Sequence, residues 1–292
     1  MPRLALILLI GVASVSAQDS PFTLKVDVSV VSVDVAVFDK SGGPVTGLGR
    51  QDFEIYEDGV RQEIRTFASS DSPYNILLVI DRSGSMTRAF DFLLEAVNRF
   101  ISNLRKQDQF ALAAFDLNVD RLVAWRSVRT GSNKTVRLGT GGDTDFYKAL
   151  DWAARELRKV GGRKAALFFT DGEDRLMFSN YENEKALEKT LQIVRQTNSP
   201  FHFIGLDAAP DRGGGINLTR IAKETGGQVH FPTRMEQIVP IYDQISRELG
   251  MSYTLGYVSN RTVQDGSYRK IQVLIPNGDY RISQSRTGYS AN

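Results

Sequence analysis

Not one of the 292 residues is cysteine. That excludes disulfides, thiol nucleophiles, iron–sulfur clusters and Cys-based zinc sites, so the fold rests on its buried core. Histidine is almost as scarce. His202 and His230 are the only two, and both sit in strand-like apolar runs, Phe201-His202-Phe203 and Val229-His230-Phe231. They read as packed strand residues rather than a catalytic base or metal pair. Neither sign of charge dominates, with 36 Lys and Arg against 34 Asp and Glu, which gives no electrostatic case for nucleic acid or anionic membrane as a partner. Catalytic signatures are missing too. There is no G-x-S-x-G elbow, H-E-x-x-H helix or Walker loop, and the glycine-rich Gly139-Thr140-Gly141-Gly142 lacks the following Gly-Lys. A magnesium-assisted hydrolase would still lack an evident nucleophile or base, so the chain reads as a non-enzyme.

Long apolar runs are absent after the N-terminus. There, Arg3 precedes Leu4 to Val12, and Val15-Ser16-Ala17 follows. A basic start, a short apolar centre and an A-x-A-like end predict a signal peptide over residues 1–17. The run is shorter than the roughly 20 residues of a membrane span. The expectation is a bacterial periplasmic or extracellular protein without membrane insertion after cleavage. Losing Arg3 leaves 35 cationic against 34 anionic side chains, a net charge of +1.

What remains is ordinary globular sequence, 41% hydrophobic and 24% charged. Residues 18–73 read as β. Val26, Val28 and Val30 alternate with polar residues, then Val31, Val33, Val35 and Val37 alternate in the opposite phase, which predicts a bulge or break near Val30-Val31. Ser41-Gly42-Gly43-Pro44 and Glu57-Asp58-Gly59 are turn signals. Residues 74–250 alternate strands and helices. Ile76 to Ile80 is a strand-length apolar run suited to burial on both faces. Phe90, Leu93, Leu94, Val97, Phe100, Ile101 and Leu104 follow helical spacing. Strands at 110–115, 165–169, 201–206 and 228–231 and helices at 146–160, 184–196, from 218 and at 235–249 complete an α/β pattern, predicting an open, mostly parallel sheet with helices on both faces. Residues 251–292 return to β. Since a few strands alone are marginal in water, the two β segments are expected to form one small sandwich with the α/β domain inserted between them.

Three segments fall at strand-to-helix connections on one edge of that sheet, where ligands bind in such folds. They are Asp81-Arg82-Ser83-Gly84-Ser85 after the first buried strand, Gly141-Gly142-Asp143-Thr144 before the helix from Phe146, and Thr170-Asp171-Gly172 after the strand 165–169. Ser83, Ser85 and Thr144 offer neutral hydroxyls and Asp81 and Asp171 offer carboxylates. Gly142, Asp143 and Asp145 lie at the periphery. The two peripheral acids add negative charge, which would tighten cation binding, favour calcium or manganese, or repel an acidic partner. Their plainer reading is a helix N-cap and first-turn acids. Glu173 and Asp174 read as solvated charges.

The order and spacing of these motifs resemble the von Willebrand factor A (VWA, integrin I-like) family, whose metal-ion-dependent adhesion site uses D-x-S-x-S, a Thr after glycines and an Asp in a T-D-G turn. The flanks Val45-Thr46-Gly47-Leu48, Asp52 to Gly59, Leu255-Gly256-Tyr257 and Gly266 to Ile271 look like the β segments beside the VWA domain in acidobacterial secreted proteins. The resemblance implies a Rossmann-like fold and a site holding Mg²⁺, or Mn²⁺ or Ca²⁺, through Asp81, Ser83, Ser85, Thr144 and Asp171. Both aspartates would act largely through water or hydrogen bonds to the hydroxyls. An electron-poor ion would then take an Asp or Glu from a protein partner. The last helix carries Ile238, Ile241, Ile245 and Leu249 on one face, a core-packing pattern; by resemblance it shifts with ligand affinity. The competing reading is an envelope or self-assembly protein with a silent or purely stabilising metal site.

Overall fold

In the computed structural model the described residues are 30–128, 141–174, 179–206, 208–211, 213–261, 263 and 265–291. The proposed signal segment and Val26 and Val28 lie outside them. The chain opens with β1 (Val30–Phe38), β2 (Glu54–Glu57), β3 (Val60–Gln62) and β4 (Ile64–Ala68). The α/β part follows as β5 (Tyr74–Asp81), α1 (Phe90–Asn103), β6 (Gln109–Phe115), β7 (Val119–Ser127), α2 (Phe146–Leu157), β8 (Arg163–Thr170), α3 (Asn180–Arg195), β9 (Phe201–Gly205), α4 (Gly214–Thr225), β10 (Val229–His230) and α5 (Ile238–Met251). The chain returns to strands with β11 (Tyr253–Val258), β12 (Tyr268–Leu274), β13 (Arg281–Gln284) and β14 (Gly288–Ser290).

Six strands order as β10-β9-β8-β5-β6-β7. All neighbours are parallel except β6 and β7. Every residue of β5 is buried, and the strand period of two divides them. Ile76, Leu78 and Ile80 pack with α1 and α5, including Leu93, Phe100, Tyr242 and Ile245. Leu77 and Val79 face Leu150, Leu191 and Ile221 of α2, α3 and α4. A continuous apolar run is the sequence of a strand covered on both sides. After β5 the chain adds β6 on one side and later β8 on the other. The carboxyl ends of β5 and β8 thus flank a topological switch point, where loops part and leave a crevice.

The flanking strands form two four-stranded sheets, β13-β1-β11-β4 and β14-β12-β2-β3. They share a core in which Val33, Val35, Tyr253 and Leu255 of the first meet Ile55, Ile271 and Val273 of the second. Strands from both ends of the chain therefore build one sandwich. β4 and β11, which lead into and out of the α/β part, are antiparallel neighbours. The hairpin between β2 and β3 turns at Asp58 (φ 47°) and Gly59 (φ 80°), the left-handed pair of a type I′ turn.

Several boundaries depart from the sequence expectation. β1 carries Val30 and Val31 in continuous register with Val258 and Tyr257, so no bulge separates these two, while the change of phase from Val26 and Val28 lies outside the described residues. α2 stops at Leu157, short of Val160. α3 starts at Asn180, because the Ser179 hydroxyl accepts the Glu182 N–H at 3.2 Å and caps it early. α4 begins at Gly214 rather than near Leu218. β7 and β14 were not anticipated. β7 is an edge strand whose Asp120, Arg121 and Arg126 interrupt any apolar alternation, a pattern that protects an open edge.

Arg163 stitches the two parts together. Its guanidinium donates to the carbonyls of Ser70 (3.1 Å) and Ser72 (3.2 Å) on the inbound crossing. It also donates to the Leu249 carbonyl (2.7 Å) and the Ser252 hydroxyl (2.9 Å) on the outbound one. On the far side, Arg286 of the sandwich donates to the Thr225 carbonyl at the C-terminal end of α4, where the helix presents partial negative charge.

Candidate metal centre

β5 delivers Asp81 to its carboxyl end, fully buried. One carboxylate oxygen, Oδ1, accepts the Ser83 N–H at 2.9 Å, and Oδ2 accepts the Thr170 hydroxyl of β8 at 2.7 Å. Burial raises the Asp81 pKa to about 6, with the Asp171 charge adding to the rise and the Ser83 and Thr170 hydrogen bonds opposing it. Such a carboxylate gains from a cation nearby. The Asp81–Ser83 bond folds the chain back on itself, so that the buried Ser83 hydroxyl lies 3.1 Å from the exposed Ser85 hydroxyl. Ser85 stands in a short 3₁₀ turn ahead of α1.

The second arm closes on the first through the backbone. Gly84 N–H donates to the Gly142 carbonyl at 3.2 Å, and Gly141 N–H donates to the Arg82 carbonyl at 3.0 Å. Gly142 holds φ 91°, a conformation that glycine adopts without strain, and the buried Thr144 follows. Asp145 is the N-cap of α2, its Oδ1 accepting the Lys148 N–H at 2.9 Å. Asp143 is exposed.

The third arm follows β8. The Thr170 hydroxyl accepts the Gly172 N–H at 3.0 Å while donating to Asp81. Asp171, half-buried, accepts the Glu173 N–H at 3.1 Å. Asp174 differs from its sequence reading as a solvated charge: it is half-buried, and its carboxylate accepts the Tyr147 N–H of α2 at 3.3 Å. Gly214 of α4 lies against this turn so closely that a Cβ there would collide with the Asp171 carbonyl oxygen.

The three loops thus converge on one edge, bonded to one another through Asp81, Thr170, Arg82, Gly84, Gly141 and Gly142. Sequence reasoning passed over Thr170 and Arg82, although both lie inside its motifs. It also missed Asp116 in the turn before β7 and Asp120 at the start of β7. The donor set is hard oxygen only, three hydroxyls and two carboxylates, which suits magnesium, manganese or calcium and not softer metals. Among the described residues, no group of three or more His, Asp or Glu is placed to hold an ion. A cation at this edge therefore depends on the hydroxyls. His202, by contrast, is buried in β9 with Nδ1 accepting the Gln228 N–H at 3.2 Å, and burial lowers its pKa to about 4.

Fold and motif define a class, and comparison agrees. Residues 76–173 match the von Willebrand factor type A domain family, so the chain carries a VWA domain there. Domains of this kind commonly mediate protein interaction and adhesion and are generally binding modules rather than enzymes. A curated relative, an uncharacterized protein of Thermotoga maritima, is 32% identical over 132 residues, 40% of this chain and 30% of the relative. The chain thus spans under a third of that relative's length. Among solved structures, a von Willebrand factor type A protein from Catenulispora acidiphila superposes with TM-score 0.51 at 14% identity, covering 91% of this chain and 75% of that one. A mutant of the PilB minor pilin from Streptococcus sanguinis gives 0.53 at 14%, covering 61% and 62%. The open conformation of the pilus adhesin SpaC from Lactobacillus rhamnosus GG gives 0.52 at 10%, covering 84% and 49%. At these identities the likeness is one of fold.

Proposed function

We propose that this chain is an exported protein-binding module whose VWA domain engages a carboxylate of its partner through a divalent cation. The observation that carries the reading is the double engagement of Asp81. With Oδ1 on Ser83 and Oδ2 on Thr170, this buried carboxylate orients hydroxyl-bearing loops instead of presenting a free oxygen. Ser83, Ser85 and Thr144 would hold the ion, with Asp81 and Asp171 behind them. Neutral hydroxyls leave most of the ion's charge uncompensated, so the bound ion supplies Lewis acidity toward an outside Asp or Glu.

Export rests on the N-terminal Arg3, the run Leu4 to Val12 and the small residues before Gln18. No helix among the described residues is long and apolar enough to cross a membrane. The likeness to a pilus adhesin and a minor pilin fits a surface setting. The pilin likeness also favours a second reading, in which the domain is an assembly scaffold and the ion only stabilises it.

Calorimetric titration of magnesium and manganese into the protein lacking its leader, beside Asp81→Ala with its fold checked, tests the site. Saturable one-site binding lost in the variant is the expected result. Folded wild-type protein that binds neither ion sinks the metal reading and moves the assignment to the scaffold.

A further inference from the structure

The loop that carries Ser83 and Ser85 is held from outside the ligand set. Arg82 points away from the crevice into the turn between β6 and β7. Its Nε donates to Asp116 Oδ2 at 2.9 Å and its Nη2 to Asp120 Oδ2 at 2.6 Å. Its backbone is engaged at both ends, the N–H by the Phe115 carbonyl at 2.9 Å and the carbonyl by the Gly141 N–H at 3.0 Å. The same turn reaches the second arm, since the Asp116 carbonyl accepts the Asp145 N–H at 3.1 Å, one residue past Thr144. Lys148 of α2 donates to the Leu117 carbonyl at 2.7 Å and to Asn118 Oδ1 at 3.2 Å. The turn is itself rigid. The Asp116 N–H donates to the Asn118 carbonyl at 2.9 Å, and Asp116 Oδ1 accepts the Asn118 N–H at 2.8 Å. With its charge-assisted bonds made by a forked guanidinium, Arg82 is shaped to hold two carboxylates at once.

Resting on the metal reading above, we infer that Arg82 and the β6–β7 turn form a brace that sets the spacing between the serine arm and the Thr144 arm, making Arg82 and Asp116 positioning residues for cation binding. None of them is a ligand. The turn leads into β7, antiparallel to β6 at the edge of the sheet, so this edge strand has a role at the site. The brace competes with simple electrostatics, and the two make opposite predictions. Removing Arg82 takes away a positive charge and unmasks Asp116 and Asp120, which by charge alone strengthens cation binding. Loss of the brace weakens it, because groups that orient metal ligands typically contribute about ten- to a hundredfold in affinity.

The test uses the full chain without its leader, in two measurements. In metal-free protein, amide hydrogen exchange at residues 82–88 and 141–146 is compared between wild type and Arg82→Ala. Magnesium affinity is then measured for both by calorimetry. The brace predicts faster exchange in both arms, with the core of β5 and β8 unaltered, and a magnesium affinity about tenfold weaker or worse. Unchanged exchange overturns it whatever the metal does, and an unchanged or tighter affinity overturns it as well. Arg82→Lys keeps the charge but cannot fork between two carboxylates, and is expected to fall between the two proteins. It replaces Arg82→Ala should that variant not fold. Failure of wild type to bind magnesium is read from wild type alone; that result refutes the metal reading and, with it, any positioning role.

Discussion

Arg163 lies buried with its guanidinium carbon 4.5 Å from the centre of the Tyr74 ring. β5 and β8 start side by side here, Tyr74 opposite Arg163 in register. The Tyr74 hydroxyl continues into the sandwich, donating to Asp34 of β1 at 3.2 Å, and Asp34 also accepts from Thr254 of β11 at 2.6 Å. The first residues of two central strands thus tie the α/β domain to both chain crossings and to β1 and β11 of the sandwich. A buried guanidinium is tolerated because carbonyls, a hydroxyl and an aromatic face surround it.

Replacing Arg163 with Met keeps the volume and strands those carbonyls. Leaving a buried acceptor without its donor costs about 1–3 kcal/mol. The urea midpoint of Arg163→Met is expected to fall accordingly, with new proteolytic cleavage at residues 69–73 and 249–252. A midpoint within error of wild type, with both crossings still protected, would show that the domains hold together without it.

The fold was legible where one physical signal dominated. Ile76 to Ile80 declared a doubly covered strand, and the spacing from Phe90 to Leu104 declared α1. The convergence of three polar loops followed from two of them standing after buried strands and the third standing just ahead of α2. What stayed hidden depended on partners distant in sequence. β7 is half-exposed and charged, so its identity comes from pairing with β6. The early start of α4 comes from close packing of Gly214 and Gly215 against Asp171 and Ala209, which no helical periodicity signals. Arg82 sat inside the D-x-S-x-S motif as an unassigned position, because its carboxylate partners lie 34 and 38 residues away.

His202 gives the molecule a pH dependence that can be isolated. Its folded pKa of about 4 lies below the usual 6.5 because burial disfavours the imidazolium, with His230 adding repulsion. The neutral ring therefore favours folding. Its contribution is complete above pH 6.5 and is lost as the pH falls toward 4, a change on the order of 3 kcal/mol. Other groups titrate in that window, so the informative quantity is the stability of wild type minus that of His202→Leu at pH 7.5, 5.5 and 4.5. The difference should shrink on acidification. A constant difference would mean that His202 finds a partner for its proton.

Gly214 tests the contact between α4 and the proposed metal edge. An alanine methyl there meets the Asp171 carbonyl and the Gly172 backbone, which cannot swing aside as a flexible side chain would. Overpacking of this kind costs typically about 1–3 kcal/mol. Gly214→Ala is expected to lower the melting temperature and to weaken magnesium binding by displacing Asp171. Gly250→Ala, where a Cβ meets nothing within 4 Å, serves as the control and should do neither. Equal behaviour of the two variants would remove α4 from the account of the site.

Asp143 and Asp145 flank Thr144 with the same charge and different duties, and substitution separates them. Asp145 caps α2 through Lys148 N–H, and loss of such a cap costs about 1 kcal/mol. Asparagine caps as well as aspartate. Asp145→Ala should therefore lower the urea midpoint of metal-free protein while Asp145→Asn leaves it close to wild type. Asp143 is exposed, and a surface change of this kind moves stability by no more than about 0.5 kcal/mol. Its charge would act on a cation bound beside Thr144, so on the proposed metal reading Asp143→Asn should weaken magnesium binding modestly, and less in high salt, where exposed charges are screened. If Asp145→Asn were as unstable as Asp145→Ala, the charge rather than the hydrogen bond would be what α2 requires. If Asp143→Asn bound magnesium like wild type at low salt, the acid would be no part of the cation's surroundings.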